Sequence, residues 1–113
     1  MVPLTVKVKT LIGTNTAAER ESSKKVFKAI NAGLEMGRKV RLSLEGMTVV
    51  TAAFLNEAVG QLYFFYTQEF LRDHLELVDA MPDDHAKYYR VCANAIDYFR
   101  KQKEDQKWKI DGL

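Results

Sequence analysis

The chain has little of what would make a disulfide-stabilised, disordered or membrane-embedded protein. It contains one cysteine, which excludes an internal disulfide and suits a reducing compartment. Only two prolines and six glycines are present, and 47% of the residues are hydrophobic, which excludes a low-complexity composition. The apolar runs are too short to cross a membrane, and no charged-then-apolar leader opens the sequence. These absences predict a folded cytoplasmic protein with no membrane segment.

A large excess of positive or of negative residues is also missing. The formal net charge is +2, and residues 100–113 carry that surplus, with five Lys or Arg against three Asp or Glu. Residues 1–99 hold twelve of each sign and are neutral. Nucleic-acid-binding domains usually show a basic field, so the charge argues against a nucleic-acid partner. The length predicts a single domain over 1–113, with a core at about 4–99 and a charged C-terminal tail.

Hydrophobic periodicity predicts three strands that alternate with three helices. The predicted strands are residues 4–9, 39–44 and 74–79. The first helix starts at Thr16 by capping-box spacing, or with a cap between Ala18 and Ser23, and ends at Gly37. The second helix begins at Thr51, and the third follows Pro82. The second helix is predicted to direct an apolar stripe inward, made of Leu55, Ala58 with Val59, Leu62, and Phe65 with Tyr66. The order βαβαβα calls for mainly parallel strands joined by right-handed crossovers.

The polar residues of the three strands fall on one face of the predicted sheet. They are Lys7, Lys9, Arg41, Ser43 and Glu76. A parallel sheet covered on both faces would instead show continuous apolar runs. We therefore predict an α/β two-layer sandwich, with a small sheet and helices chiefly on one of its faces. Residues 107–110 alternate too, which predicts an added strand or a tail folded over the open face.

Three stretches resemble a known family. They are Gly37–Met47 (Gly-Arg-Lys-Val-Arg-Leu-Ser-Leu-Glu-Gly-Met), the corner Thr51-Ala52-Ala53-Phe54, and Val91–Ile96 (Val-Cys-Ala-Asn-Ala-Ile). The pattern is similar to the STAS fold of anti-sigma-factor antagonists. It resembles more closely the STAS-like domain family of unknown function, in which a Ser/Thr-Ser/Ala-Ala/Ser-Phe corner opens the second helix. The resemblance covers about residues 4–99. It implies a STAS-like fold and a regulatory role through protein contacts.

The resemblance also carries an expectation about phosphorylation. In STAS regulators the corner reads Asp-Ser-Ser-Gly, and a partner kinase phosphorylates the second serine. Here Thr51 takes the place of the Asp, and Ala53 takes that of the phosphorylated serine. The resemblance thus implies a protein partner such as an ATP-binding, kinase-like regulator. It implies no switch at position 53 unless Thr51 or Thr48 substitutes.

The same corner predicts an anion or phosphoryl site at the carboxyl edge of the sheet. Ligands of parallel α/β folds bind where the strands end, and helix starts there offer free amides. The predicted site consists of Thr48, Thr51, Ala52 and Ala53. Its predicted neighbours are Thr14, Asn15, Arg20, Asp83 and Asp84. For Thr51 the alternative is a plain helix cap, which is the commoner role of a threonine at that position.

A second prediction concerns an interaction surface formed by Tyr63, Phe64 and Trp108. The run Phe64-Phe65-Tyr66 is too apolar for one buried helix face, so Phe64 or Tyr63 is expected outside. Completion of a crowded core is the alternative. Trp108 is too apolar to stay in water, so we expect the tail to dock on its own sheet or on a second copy in a homodimer.

No motif in the chain signals a reaction. His74 and His85 are eleven residues apart and Cys92 falls on a core stripe, a spacing that matches no zinc site. No nucleophile or phosphate-loop motif is present, so we predict no enzyme activity, metal or cofactor. The sequence favours a non-catalytic regulatory or adaptor module that binds proteins. The alternative is a small-ligand, nucleotide or anion-binding protein, or a small enzyme, that uses the carboxyl edge.

Overall fold

The computed structural model describes the backbone of residues 2–111 and the side chains of residues 2–104. The elements, in chain order, are β1 (Leu4–Lys7), α1 (Val8–Ile12), β2 (Thr16–Ala17), α2 (Arg20–Glu35), β3 (Val40–Ser43), β4 (Val49–Val50), α3 (Ala52–Leu55), a π-helical segment (Asn56–Gly60), α4 (Leu62–Phe65), α5 (Gln68–His74), β5 (Leu75–Val78) and α6 (Pro82–Asp111). A three-stranded parallel sheet has the order β1-β3-β5, and β2 pairs with β4 in a separate parallel ladder. The predicted α/β fold is confirmed.

The main sheet has one apolar and one polar face, as the alternation predicts. The inward face carries the buried side chains of Val6, Leu42 and Leu75. The outward face carries the exposed side chains of Thr5, Arg41 and Glu76. Arg41 lies opposite Glu76 in the ladder, and its Nε is 3.7 Å from the Glu76 Oε2. The helices therefore cover one face chiefly, and the other face meets water.

Helix α2 lies close against the sheet because of a glycine. Its apolar stripe is fully or almost fully buried and consists of Val26, Ile30 and Leu34. A Cβ at Gly33 would lie 2.8 Å from Cγ2 of Val40, so only glycine permits this approach. The helix ends as predicted at Gly37, whose φ is +74°, and the amide of Arg38 donates to the Gly33 carbonyl at 3.1 Å.

Two predictions for the first third of the chain are wrong. The first strand ends at Lys7, and Val8, whose side chain is completely buried, begins the short helix α1, so Lys9 does not lie on the sheet. Thr16 does not cap α2, because it pairs with Val49 in the second ladder. The helix starts instead at Arg20, with Glu19 at the N-cap position, so the alternative that placed the cap between Ala18 and Ser23 is confirmed. Ser23 donates its hydroxyl to the Arg20 carbonyl at 2.6 Å.

The predicted second helix is interrupted. Its middle, Asn56–Gly60, is π-helical, and the amide of Gln61 donates to the Asn56 carbonyl at 3.2 Å. A π turn holds one more residue than an α turn, so the apolar face rotates downstream of it. This rotation explains why Phe65, predicted to point inward, is 63% exposed. Helix α5, capped by Thr67, was not predicted and leads directly into β5.

Two further predictions need correction. Ser43 lies opposite Lys7 in the ladder, on the face predicted to be polar, but it is only 1% exposed and donates to Oδ2 of Asp79 at 2.8 Å. Residues 107–110 form no strand, because α6 continues through Asp111. The predicted docking of the Trp108 side chain lies outside the described side chains. Among the described residues, no helix combines the length and apolar character needed to cross a membrane.

Candidate functional site

The carboxyl edge of the sheet brings several predicted site residues close together. The amide of Thr48 donates to the carbonyl of Asn15 at 2.8 Å, and the amide of Val49 donates to the same oxygen at 3.2 Å. Thr14 accepts a hydrogen bond from the amide of Thr16 at 3.3 Å. Thr48 and Asn15 are therefore neighbours, as predicted, but through backbone bonds that hold the β2–β4 ladder in place.

Thr51 is the N-cap of α3. Its Oγ1 accepts a hydrogen bond from the amide of Phe54 at 3.1 Å. Ala52 and Ala53 form the first turn and are exposed. The cap interpretation of Thr51 is thus supported by geometry. The anion or phosphoryl site at this corner remains a prediction.

Arg20 approaches the same corner from α2. It shares a small cleft of about 350 Å³ with Ala53, and Glu19 and Glu57 line that cleft too. One guanidinium and two carboxylates therefore face the opening. This charge balance does not favour an anion there, because like charges repel.

Of the two predicted neighbours on α6, Asp84 is connected to the Thr51 corner and Asp83 is not. Lys87 donates from Nζ to the carbonyl of Val50 at 2.6 Å and lies 3.6 Å from Oδ1 of Asp84. Asp84 thus reaches the corner through Lys87, which the sequence reasoning did not single out. Asp83 is exposed and forms no ion pair within residues 2–104. The contact ties the start of α6 to the loop before α3.

A larger opening is lined by residues of the π-helical segment, α4 and α6. We call it the aromatic groove; its volume is about 680 Å³. Its lining residues are Asn56, Gly60, Gln61, Phe64, Phe65, Asn94, Ala95, Tyr98, Phe99 and Gln102. Phe64 and Tyr98 are each 56% exposed, and the Phe64 ring lies 5.6 Å from the Phe99 ring. The exposed position predicted for Phe64 or Tyr63 is thus taken by Phe64.

Among the residues whose side chains are described, none that lines the aromatic groove is charged, in a chain of which 28% is charged. Four of its members carry side-chain amides: Asn56, Gln61, Asn94 and Gln102. Aromatic side chains with few charges are typical of the centre of a protein–protein interface. Helical periodicity places Phe65 inside, and it does not mark Tyr98 as a surface residue. The adjacent aromatic pair Tyr98-Phe99 was the available signal, since one helix face rarely buries both.

Tyr63 does not belong to this groove. It is half-buried and lines a different opening, which we call the β5 cleft, of about 770 Å³ between β5, α5 and α6. Buried Tyr88 and Cys92 lie in its wall. The predicted surface of Tyr63, Phe64 and Trp108 is therefore divided: Tyr63 lines one opening, Phe64 lines another, and the Trp108 side chain is outside the described part.

Burial keeps three groups in the wall of the β5 cleft in their neutral form. It raises the pKa of the Cys92 thiol, although hydrogen bonding to Tyr63 and Tyr88 acts in the opposite direction. Burial also raises the pKa of Tyr63 and of Tyr88, with a further contribution from Cys92 in each case. All three groups therefore stay neutral near pH 7. A neutral, buried thiol is a poor nucleophile.

His74 and His85 both line the β5 cleft. The His74 ring stacks on Phe70 at 4.0 Å, and its Nδ1 lies 2.9 Å from the Phe70 carbonyl. His85 contacts Tyr89, with ring centroids 4.9 Å apart. Within the residues whose side chains are described, no group of three or more His, Cys, Asp or Glu is arranged to hold a metal ion. The two histidines have aromatic partners.

One family model matches the chain, over residues 22–85. The family is described as a STAS-like domain of unknown function (DUF4325). The matched stretch runs from α2 through the Thr51 corner and β5 to the first residues of α6. It includes Phe64 and Phe65 but ends before Tyr98 and Phe99, so the α6 wall of the aromatic groove lies beyond it. No curated protein and no solved structure matches the chain.

Proposed function

This chain belongs to the family of STAS-like domains of unknown function, and from that premise we propose that it is a non-catalytic regulatory or adaptor module. It binds a partner protein through the aromatic groove. The observation that carries the proposal is a groove whose described lining residues are all uncharged, with Phe64 and Tyr98 exposed at its surface. A regulatory or adaptor module acts by contact, so a preformed contact surface is its principal requirement.

The lining of the groove fits a binding role for a physical reason. Large aromatic side chains supply much apolar area, and they dominate the binding energy of many interfaces. The amides of Gln61 and Gln102 can accept and donate hydrogen bonds at the rim without the cost of removing a charge from water. We therefore expect a partner surface that is apolar at its centre and bears uncharged polar groups around it.

The protonation of Tyr63, Tyr88 and Cys92 in the β5 cleft supports a non-catalytic role for these three groups. General acid–base catalysis works best when a group has a pKa near the working pH. Burial instead moves the pKa of Tyr63, Tyr88 and Cys92 away from neutrality. The resemblance to STAS regulators makes an ATP-binding, kinase-like regulator the first partner to test. The alternative of a small ligand at the carboxyl edge has no comparable supporting observation.

Site-specific photo-crosslinking in the native host tests the proposal. A photoreactive phenylalanine analogue is placed at Phe64 or Tyr98, and at exposed Met36 as the control. We expect one protein adduct shared by the Phe64 and Tyr98 positions and missing at Met36. The unlabelled variant Phe64→Ala should then lose that partner in affinity purification, and Met36→Ala should retain it. Identical adducts at all three positions, or none, would contradict the proposal.

A further inference from the structure

The outer edge of β5 carries backbone groups without a strand partner in the described structure. β5 pairs with β3 on one side only, in the order β1-β3-β5. The amide of Leu44 donates to the Val78 carbonyl at 3.2 Å, so Val78 is turned towards β3. Successive residues of a strand direct their backbone groups to opposite sides, so Leu75 and Leu77 are turned outward. The amide of Leu75 donates to the Leu71 carbonyl. The outward backbone groups that remain for a further strand are therefore the carbonyl of Leu75 and both the amide and the carbonyl of Leu77.

This edge opens into the β5 cleft. Leu75, Glu76 and Leu77 form one wall of the cleft, and α6 forms the facing wall with Tyr88, Tyr89 and other residues. Tyr88 is buried, while Tyr89 is 58% exposed. A bare strand edge is normally shielded by charge, bulges or a covering element, because it would otherwise pair with another chain. Here the space beside the edge is an open cleft with aromatic residues in its wall.

The charges around the cleft are unequal. Lys39, Arg41 and Arg72 line it, as do Asp73 and Glu76. Both acids have a partner: Glu76 is 3.7 Å from Arg41, and Asp73 is 3.7 Å from Arg72. Lys39 forms no ion pair with the residues whose side chains are described. It directly precedes Val40, which pairs with Leu75, so it lies at the amino end of β3, beside the start of β5, and it lines the cleft.

We propose that the β5 cleft binds an extended, acidic segment of a partner protein as a fourth strand of the main sheet. The segment bonds through its main chain to Leu75 and Leu77, and alternate apolar side chains face Tyr88 and Tyr89. Its carboxylate lies beside Lys39. Addition of a strand to a sheet edge is a general way to recognise peptides. The inference does not depend on the aromatic groove, which shares no lining residue with this cleft.

The test selects a phage-displayed library of random linear peptides on the immobilised full chain. Selected peptides are synthesised, and their affinity is measured by calorimetry. Leu77→Pro removes the outward amide, and proline is tolerated at a strand edge when its nitrogen faces away from the ladder. Leu77→Ala is the matched control, because it shortens the side chain and keeps the amide. We expect Leu77→Pro to weaken binding by about tenfold relative to Leu77→Ala, as for one lost hydrogen bond.

Two further measurements keep the test decisive if Leu77→Pro does not fold. The amides of the peptide are N-methylated one position at a time. Methylation should abolish binding at every second position only, since only alternate amides of an added strand donate to the sheet. Lys39→Ser should weaken the binding of acidic peptides. It should leave unchanged the binding of analogues in which Gln or Asn replaces each Glu or Asp. Uniform tolerance of N-methylation, or no enriched acidic sequence, would overturn the proposal. Sedimentation equilibrium that shows a dimer lost in Leu77→Pro would overturn it too, because the occupant would be a second copy.

Discussion

The carboxyl edge of the sheet and the aromatic groove differ in whether their side chains already have partners within the fold. At the carboxyl edge Ser43 bonds to Asp79, Thr51 caps α3, and Lys87 bonds to the Val50 carbonyl. In the aromatic groove, Phe64 and Tyr98 stay more than half exposed. The polar residues that make a sequence look like a site thus hold the fold together here. The side chains that remain exposed and available for contact with a partner are aromatic.

The comparison gives separate expectations for the two regions. Substitutions at the carboxyl edge should change the free energy of unfolding and leave partner binding intact. Substitutions in the aromatic groove should do the reverse.

At the carboxyl edge, the largest effect is expected for Asp79→Ala. Asp79 has a φ of +57° and accepts the hydrogen bond of buried Ser43. Alanine would leave that hydroxyl without its acceptor and would adopt the left-handed backbone less readily. We expect a loss of about 1–3 kcal/mol in the free energy of unfolding, measured by urea denaturation. Asp79→Asn keeps an acceptor oxygen and tolerates the backbone, so it should cost much less. Equal losses in both variants would show that charge, and not the hydrogen bond, matters.

Alkaline pH should give the next largest effect, in the wall of the β5 cleft. Burial raises the pKa of Tyr88 and of Cys92 above their ordinary values of 10.0 and 9.0. Above those values the unfolded chain has lost protons that the folded chain keeps. Stability should therefore fall by about 1.4 kcal/mol per pH unit for each such group, and it should be constant below pH 9 as far as these groups are concerned.

Thermal melts in buffers of rising pH measure this slope. Tyr88→Phe removes one of the titrating groups and keeps the ring, so its curve should be shallower than that of the unaltered chain. A curve of the same steepness would mean that Tyr88 does not contribute.

Thr51→Ala tests the corner that the sequence singled out. Loss of the cap should lower the free energy of unfolding by about 1 kcal/mol. Thr51→Ser keeps the hydroxyl and should lose only a fraction of this. Both variants should retain the partner that crosslinks at Phe64. If Thr51→Ala melts normally but loses that partner or an in-cell phosphate, Thr51 is a switch and not a cap.

The sequence predicted the elements whose pattern is local. The stripe of α2, the stop at Gly37 and the Thr51 cap each depend on a few neighbouring residues, and all three are confirmed. The same local reasoning failed at Thr16, which satisfies the capping spacing but pairs with distant Val49 instead. A contact across more than thirty residues competes with the cap, and no local pattern records it.

The openings were harder to predict than the fold. The interrupted helix depends on π-helical backbone at Asn56–Gly60, and this rotates Phe65 outward by a shift that an α-helical periodicity does not contain. The β5 cleft requires the unpredicted helix α5 as a wall. Phe64 was recognised because three successive aromatic residues cannot all face one core. The run of aromatic residues thus predicted that Phe64 is exposed, whereas its neighbours in the groove are known only from the three-dimensional fold.

The smallest effect on stability, with the largest expected effect on binding, belongs to Phe64→Ala. Phe64 is 56% exposed and buried Phe54 is 2% exposed, so the two residues form a matched pair ten positions apart on the same interrupted helix. Phe54→Ala should cost about 3–5 kcal/mol because it leaves a cavity in the core. Phe64→Ala should change the free energy of unfolding by less than about 0.5 kcal/mol, as surface substitutions usually do, yet abolish the crosslink formed at Tyr98. Urea denaturation and crosslinking of the two variants side by side decide the point. If Phe64→Ala is as destabilising as Phe54→Ala, the aromatic groove is a loosely packed extension of the core, and its exposed rings stabilise the fold without serving a partner.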